Sequence, residues 1–192
     1  MKKFPIILAA LLFVITMFVI PVSAPMAEEK GIEGKALYSQ VNIWFEAAKG
    51  KNRAYSTNYH KGEIIPAGTK VTITEIGKKA IEFRDEKGTE YELIFVAKHH
   101  PGMKAEDFAE LLFKAENPAP RIAKMSAEDR EGIKQGKLVR GMTKDGCVMA
   151  FGYPPAFRTP SLDSDAWIYQ DNKWSTAYTV HFEKGKLKDI QK

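Results

Sequence analysis

Between Ala36 and Val96, apolar and polar residues alternate in short runs: Val71 and Ile73 with Thr72 and Thr74, Ile81 and Phe83 about Glu82, and Tyr91, Leu93 and Phe95 on one strand face. A period of two sends successive side chains to opposite faces, so the pattern predicts β structure with one buried face. The runs are separated by Pro66-Ala67-Gly68-Thr69, Ile76-Gly77-Lys78-Lys79 and Asp85-Glu86-Lys87-Gly88. Proline presets φ and glycine accepts positive φ, so these read as tight turns and hairpin connections in a five-strand meander. A sheet of that size buries its apolar face by curling or by packing on a helix.

The period then changes. Phe108, Leu111, Leu112 and Ala115 fall on one face of a helix expected from about Lys104 to Ala115, and Asn117-Pro118-Ala119-Pro120 ends it because proline lacks a donor. Ser126 and Thr143 are cap candidates for two further helices, the first running through Ile133 and the second stopping at Gly152 in a left-handed conformation, before Pro154 and Pro155. Strand signals follow at Ala166-Trp167-Ile168-Tyr169, at Ala177 to Phe182, and at Leu187 to Ile190 after a turn at Glu183-Lys184-Gly185-Lys186. The expected fold class is α+β: a small β module with an appended helix over residues 28–118, then a helix, helix and three-strand antiparallel module over residues 119–192.

The N-terminus sets the compartment. Lys2 and Lys3 precede an apolar run from Phe4 to Ile20, then Pro21, Val22, Ser23 and Ala24, with no charge until Glu28. This is the order of a secretory signal peptide over residues 1–27, cut after Ala24 or after Ala27. The uncharged stretch 4–27 is also long enough to span a bilayer as an uncleaved anchor. Both readings place the rest of the chain outside the cytoplasm, in a periplasmic or other extracytoplasmic space, with membrane contact only if the segment stays uncleaved. Of 192 residues, 44% are hydrophobic and 28% charged, an ordinary globular makeup. Net charge is +5, and without the two leader lysines 27 basic residues face 24 acidic ones, too even a balance to indicate nucleic acid. The single cysteine, Cys147, excludes an internal disulfide framework and an all-cysteine metal site.

Two resemblances follow from particular residues. Lys61-Gly62-Glu63-Ile64-Ile65-Pro66-Ala67-Gly68-Thr69-Lys70-Val71 and the hairpins after it resemble the small SH3-like barrels of bacterial envelope proteins, which implies a peptide-, protein- or cell-wall-binding platform. The second is carried by Ile133 with Gly136, Leu138 to Lys144, Phe151-Gly152-Tyr153-Pro154-Pro155, Asp165 to Tyr169, and Val180 to Leu187. Together these resemble the SmpA/OmlA family, which includes the small lipoprotein accompanying the outer-membrane β-barrel assembly machinery and has a fold similar to the repeats of a β-lactamase inhibitor protein. The match covers roughly Ser126 to Gln191. The family's lipid-attachment cysteine has no counterpart after the leader.

Candidate chemistry is sparse. Cys147, beside Val148, Met149 and Ala150, reads as a buried thiol; as a nucleophile it would need His181 brought to it by the fold. His99-His100 invites a zinc reading, but adjacent strand residues face opposite ways and no spaced third ligand completes a set, so a surface or helix-capping role is expected. Asp163-Ser164-Asp165 lacks the glycine and closing glutamate of a calcium loop and reads as a polar turn. No cofactor or metal is implied, and nucleophile-elbow, P-loop and dinucleotide patterns are missing. The expected function is therefore non-catalytic: an exported envelope module that binds a protein partner or assists assembly. The alternative is peptidoglycan or peptide binding through the SH3-like part; inhibition of a secreted enzyme and thiol chemistry rank lower. Aromatic residues supply the candidate surfaces. Phe157, Trp167, Tyr169 and Trp174 form either a partner-binding face or packing within the core and between modules. Trp44, Arg53, Tyr55 and Tyr59, about a basic loop, form a candidate ligand groove.

Overall fold

In the computed structural model, which describes residues 31–47, 50–170 and 177–192, the alternating first part becomes seven strands. They are β1 (Ala36–Ser39), β2 (Ile43–Ala47), β3 (Asn52–Tyr55), β4 (Glu63–Ile65), β5 (Lys70–Ile76), β6 (Ala80–Asp85) and β7 (Glu90–Ile94). An eighth, β8 (Phe113–Lys114), joins them in a curled sheet of order β4-β2-β3-β7-β6-β5-β1-β8. This is not the expected simple meander, because β3 runs parallel to β7 and β1 pairs with β5. The inward residues are the ones the alternation marks: Val71, Ile73, Ile81, Phe83 and Leu93 are buried.

Helix α1 (Ala105–Leu112) covers this core with Phe108, Ala109 and Leu112. It ends three residues before the expected Ala115, because Phe113 and Lys114 leave the helix to pair with Ser39 and Tyr38 as β8. Asn117-Pro118-Ala119-Pro120 does not only break a helix. It opens a short one, α2 (Ala119–Ala123), since proline suits the first turn, where its missing N–H would have no helical partner.

The second half follows the expected order: α3 (Ala127–Gln135), α4 (Lys144–Phe151), β9 (Ala166–Gln170), β10 (Ala177–Glu183) and β11 (Lys186–Gln191), the strands forming a separate antiparallel sheet β11-β10-β9. Ser126 caps α3 by accepting from Asp129 N, and Thr143 caps α4 by accepting from Gly146 N at 3.0 Å. Asp129, itself buried, accepts from Thr143 N at 2.8 Å, so a carboxylate from α3 lies against the N-terminus of α4. Gly146 is required there, since a Cβ would overlap the Asp129 carboxylate. Thr143→Ala, which removes the cap oxygen, is expected to lower the unfolding free energy by about 1 kcal/mol, read as a drop in the urea midpoint. Gly152 ends α4 with φ 83° and ψ 179°, a positive φ but an extended ψ rather than the expected left-handed helical one.

Residues Gly31–Lys192 are one compact unit, so the division into 28–118 and 119–192 separates two sheets within a single body. The leader assigned to 1–27 lies outside the described residues, as does Trp174. Among the described residues no helix is long and apolar enough to cross a membrane.

Besides a hydrophobic core cluster that takes residues from both halves, buried polar bonds join them. The last turn of a helix leaves carbonyls without helical partners, and those of α4 are taken by groups from elsewhere. Asn42 N donates to Met149 O at 2.8 Å and Asn42 Nδ2 to Ala150 O at 3.1 Å; Asn58 Nδ2 donates to Phe151 O at 2.8 Å and Tyr169 OH to Gly152 O at 3.0 Å. Asn42 Nδ2 also donates to Ile133 O of α3 at 2.7 Å, while its Oδ1 accepts from Ala67 N at 2.8 Å. His60 stacks on Phe151 with ring centroids 3.4 Å apart, its Nε2 2.8 Å from Phe151 O. A carbonyl only accepts, so this geometry places the ring proton on Nε2.

Candidate binding groove

The curled sheet is not closed, and the gap between its ends is a groove of about 610 Å³. One wall is β4 with Pro66. Opposite stand Tyr38 of β1, Lys70 at the start of β5 and Asn117 just after β8. The turn through Pro66 and Gly68 holds the ends together: Ser39 Oγ donates to Pro66 O at 2.8 Å, Gly68 N to Ser39 O at 2.8 Å and Ser39 N to Thr69 O at 2.9 Å. The floor is aromatic. Phe45 and Tyr91 meet edge to face with centroids 5.1 Å apart, and Tyr91 stacks on Phe83 at 5.2 Å.

The charges at the rim are arranged by the β6–β7 hairpin. Asp85 Oδ1 accepts from Lys87 N and Thr89 N, each at 2.9 Å. Burial alone would raise the Asp85 pKa, but these backbone donors outweigh it and hold the carboxyl below its ordinary value. Its Oδ2 lies 3.4 Å from Tyr91 OH. Burial, followed by the negative charges of Asp85 and Glu63, pushes the Tyr91 phenol up, so it is a neutral hydroxyl at the groove floor. Lys70 and Glu86 pair at 3.3 Å across the rim.

The predicted site residues fall differently. Trp167 and Tyr169 are fully buried, which corrects the reading of a partner-binding face. They share the inner face of β9 with Tyr178, Val180 and Phe182 of β10, and Trp167 packs on Phe182 at 4.5 Å. Phe157 is 41% exposed, but one ring face stacks on His99 at 4.9 Å. Trp44, Arg53 and Tyr55 do share the outer face of β2 and β3, opposite to buried Phe45 and Ala54. Trp44 is nevertheless covered, because the C-terminus of α3 reaches it: Gly136 adopts φ 63° there, and a Cβ would run into Ile64 and approach Trp44. Arg53 pairs with Glu92 at 2.9 Å, and Tyr55 lies beside Tyr59 with centroids 5.2 Å apart. These four residues do not line the large groove.

Comparison of the chain with family models, curated proteins and solved structures finds no match.

The remaining chemical candidates are placed by the same geometry. Cys147 is buried in α4, and burial, with the nearby charge of Asp129, pushes its thiol up to about 12, the opposite of an activated nucleophile. His99 and His100 are both buried, which corrects the surface part of the expectation; His100 does stand at the C-terminal cap of a short 3-10 helix, Ala97–His99, its N–H donating to Ala97 O at 3.0 Å. His99 Nδ1 lies 3.0 Å from Thr57 Oγ1, and His100 Nε2 lies 3.1 Å from Ser56 Oγ. Asp163 and Asp165 sit in an exposed turn, where Lys144 Nζ reaches Asp163 O at 2.7 Å and Asp165 Oδ1 at 3.3 Å. Among the described residues no cluster of His, Cys, Asp or Glu is arranged to hold a metal ion.

The groove was missed because its parts come from five separated stretches of sequence. Lys61 to Val71 reads as one unit in the chain, while Asp85 to Gly88, Tyr91 and Asn117 read as a hairpin turn, a strand residue and a helix stop, with no local signal that joins them.

Proposed function

We propose that this is a non-catalytic binding protein of the cell envelope that engages a protein partner through the groove between the open ends of its curled sheet. The observation that carries this reading is the groove itself: an aromatic floor of Phe45 and Tyr91 with a neutral hydroxyl and carboxylates at its rim. Concave sites with an apolar base and a few fixed polar groups are the common form of recognition surfaces. The export pattern of residues 1–27 supports action outside the cytoplasm. The curled sheet supports the SH3-like reading of the first part, and the helix, helix, three-strand order supports the SmpA/OmlA-like reading of the last third. The assembly role associated with that family is proposed on the resemblance alone.

A photo-crosslinking residue tests the groove in growing cells. With p-benzoylphenylalanine replacing Lys87 at the rim, the full chain is expected to give a discrete protein adduct, and with it replacing exposed Glu131 on α3, none. Equal labelling from both positions, or none from Lys87, would overturn the proposal. An adduct that disappears on muramidase digestion would instead support the cell-wall reading, which the polar rim favours.

A further inference from the structure

We infer that the groove takes its ligand as an added β-strand: an extended peptide segment carrying a basic side chain pairs antiparallel with the free edge of β4. This rests on the binding role proposed for the groove and names the class of partner.

The first observation is the edge. β4 ends the sheet and pairs only with β2 among the described residues. Successive residues of a strand point to opposite faces, yet Glu63, Ile64, Ile65 and Pro66 all line the groove, so the strand presents its backbone edge to it. The direction of the backbone groups follows from β2. Trp44 N–H donates to Asn58 Oδ1, away from β4, at 2.8 Å. The ladder to β4 therefore runs through Ile43 and Phe45, whose partners are Ile65 and Glu63. Ile64 lies between them and turns its N–H and C=O outward, the donor and acceptor that an antiparallel strand returns as one bonded pair.

The second observation is charge. With Lys70 and Glu86 neutralising each other, the groove retains Glu63 and Asp85 against Lys87. Glu63 and Asp85 both act on the Tyr91 hydroxyl. Glu63 faces Phe45 across the ladder, on the inner side of the sheet. A strand residue opposite Glu63 would send its side chain to that same side, toward the Phe45–Tyr91 floor and the two carboxylates. An arginine or lysine there has aromatic surface for its stem and anions for its head.

The probe is the capped pentapeptide acetyl-Thr-Val-Thr-Arg-Thr-amide, with the central threonine opposite Ile64 and the arginine opposite Glu63, titrated into the isotope-labelled full chain and followed by amide NMR shifts. The Ile64 amide and the Phe45 and Tyr91 signals are expected to move together. Methylating the central peptide nitrogen removes the donor to Ile64 C=O and is expected to weaken binding about tenfold. Ile64→Pro should weaken it similarly, since proline is accepted on an edge strand where the N–H faces outward, although it also removes the side chain that packs beside Gly136. The methylated peptide reads the same contact on unaltered protein. Glu63→Gln, or norleucine for the arginine, is expected to cost about threefold, as a partly exposed charge pair does.

Undiminished binding of the methylated peptide at the same residues would overturn strand addition while leaving the groove as a binding site. Groove shifts with a soluble disaccharide-peptide of the cell wall and none with the pentapeptide would do the same. Movement of the Ile64 amide on concentrating the protein alone would overturn it in favour of a second copy of the chain. Silence with both probes would overturn it, and the Lys87 crosslink would then decide separately whether the groove binds anything.

Discussion

Asn42→Ala is expected to lower the unfolding free energy by about 3–5 kcal/mol, among the largest single-residue losses a domain of this size shows. The side chain is buried and uses every hydrogen-bonding group it has: Nδ2 on Ile133 O and Ala150 O, Oδ1 on Ala67 N. Truncation leaves two buried carbonyls without this partner, and the half-buried Ala67 N–H as well, and each group left unsatisfied out of water's reach costs about 1–3 kcal/mol. The damage also spans the molecule, since Ile133 lies in the last turn of α3, Ala150 lies in α4 and Ala67 sits in the turn bridging the open sheet. Urea unfolding of the full chain checks this through the midpoint at an unchanged slope. Asn42→Asp should fail as well, because an ionised carboxylate cannot donate to two carbonyls. Exposed Gln135→Ala on α3 should stay within about 0.5 kcal/mol of the parent. A loss below about 1 kcal/mol for Asn42→Ala would mean that apolar packing, not this amide, holds the halves together.

Why that residue escapes a reading of the sequence is instructive. Asn42 lies 91 residues from Ile133 and 108 from Ala150, and a polar residue between two short strands looks like any turn former. Local chemistry was legible: the Ser126 and Thr143 caps, the three strands of the second sheet and the buried alternation of β5 to β7 all appear where the pattern places them. Alternation says which residues share a face but not what covers the face. Trp167 and Tyr169, two residues apart, share one side of β9, and only the structure shows that this side is the core rather than a partner-binding face. Trp44 likewise belongs to an outer face, and only tertiary packing brings Gly136 over it. The parallel pairing of β3 with β7 has no local signal either, since it depends on how the segment from Ser56 to Ile65 returns the chain. The groove inherits both problems, being built from a strand edge and from residues that no single period connects.

The second large effect is a loss of stability on acidification that departs from ordinary carboxylate titration. His100 lies between Phe95 and Phe108, with ring centroids 5.6 and 4.7 Å away, and beside Ser56 Oγ. Burial, with the adjacent His99, lowers its pKa from an ordinary 6.5 to about 4. His99 is lowered in the same direction by burial and then by Lys98 and Arg158, beneath the ring of Phe157. Below pH 6.5 the unfolded chain therefore takes up protons that the folded chain refuses. The stabilisation is complete above pH 6.5 and is lost as pH falls toward 4, amounting to about 2–3 kcal/mol for His100 alone. Carboxylates held below their ordinary values, such as Asp85, add their own loss at lower pH, so the test is a difference between chains rather than one curve. His100→Phe keeps an aromatic ring between Phe95 and Phe108 but cannot be protonated. Its urea midpoint should fall less steeply than that of the parent between pH 6.5 and 4.5. Phe157→Ala, which uncovers His99, should reduce the slope by a smaller amount. Parallel curves for the parent and His100→Phe would show that the imidazole is protonated as readily in the folded chain as in the unfolded one, and the aromatic enclosure would then have no part in acid sensitivity.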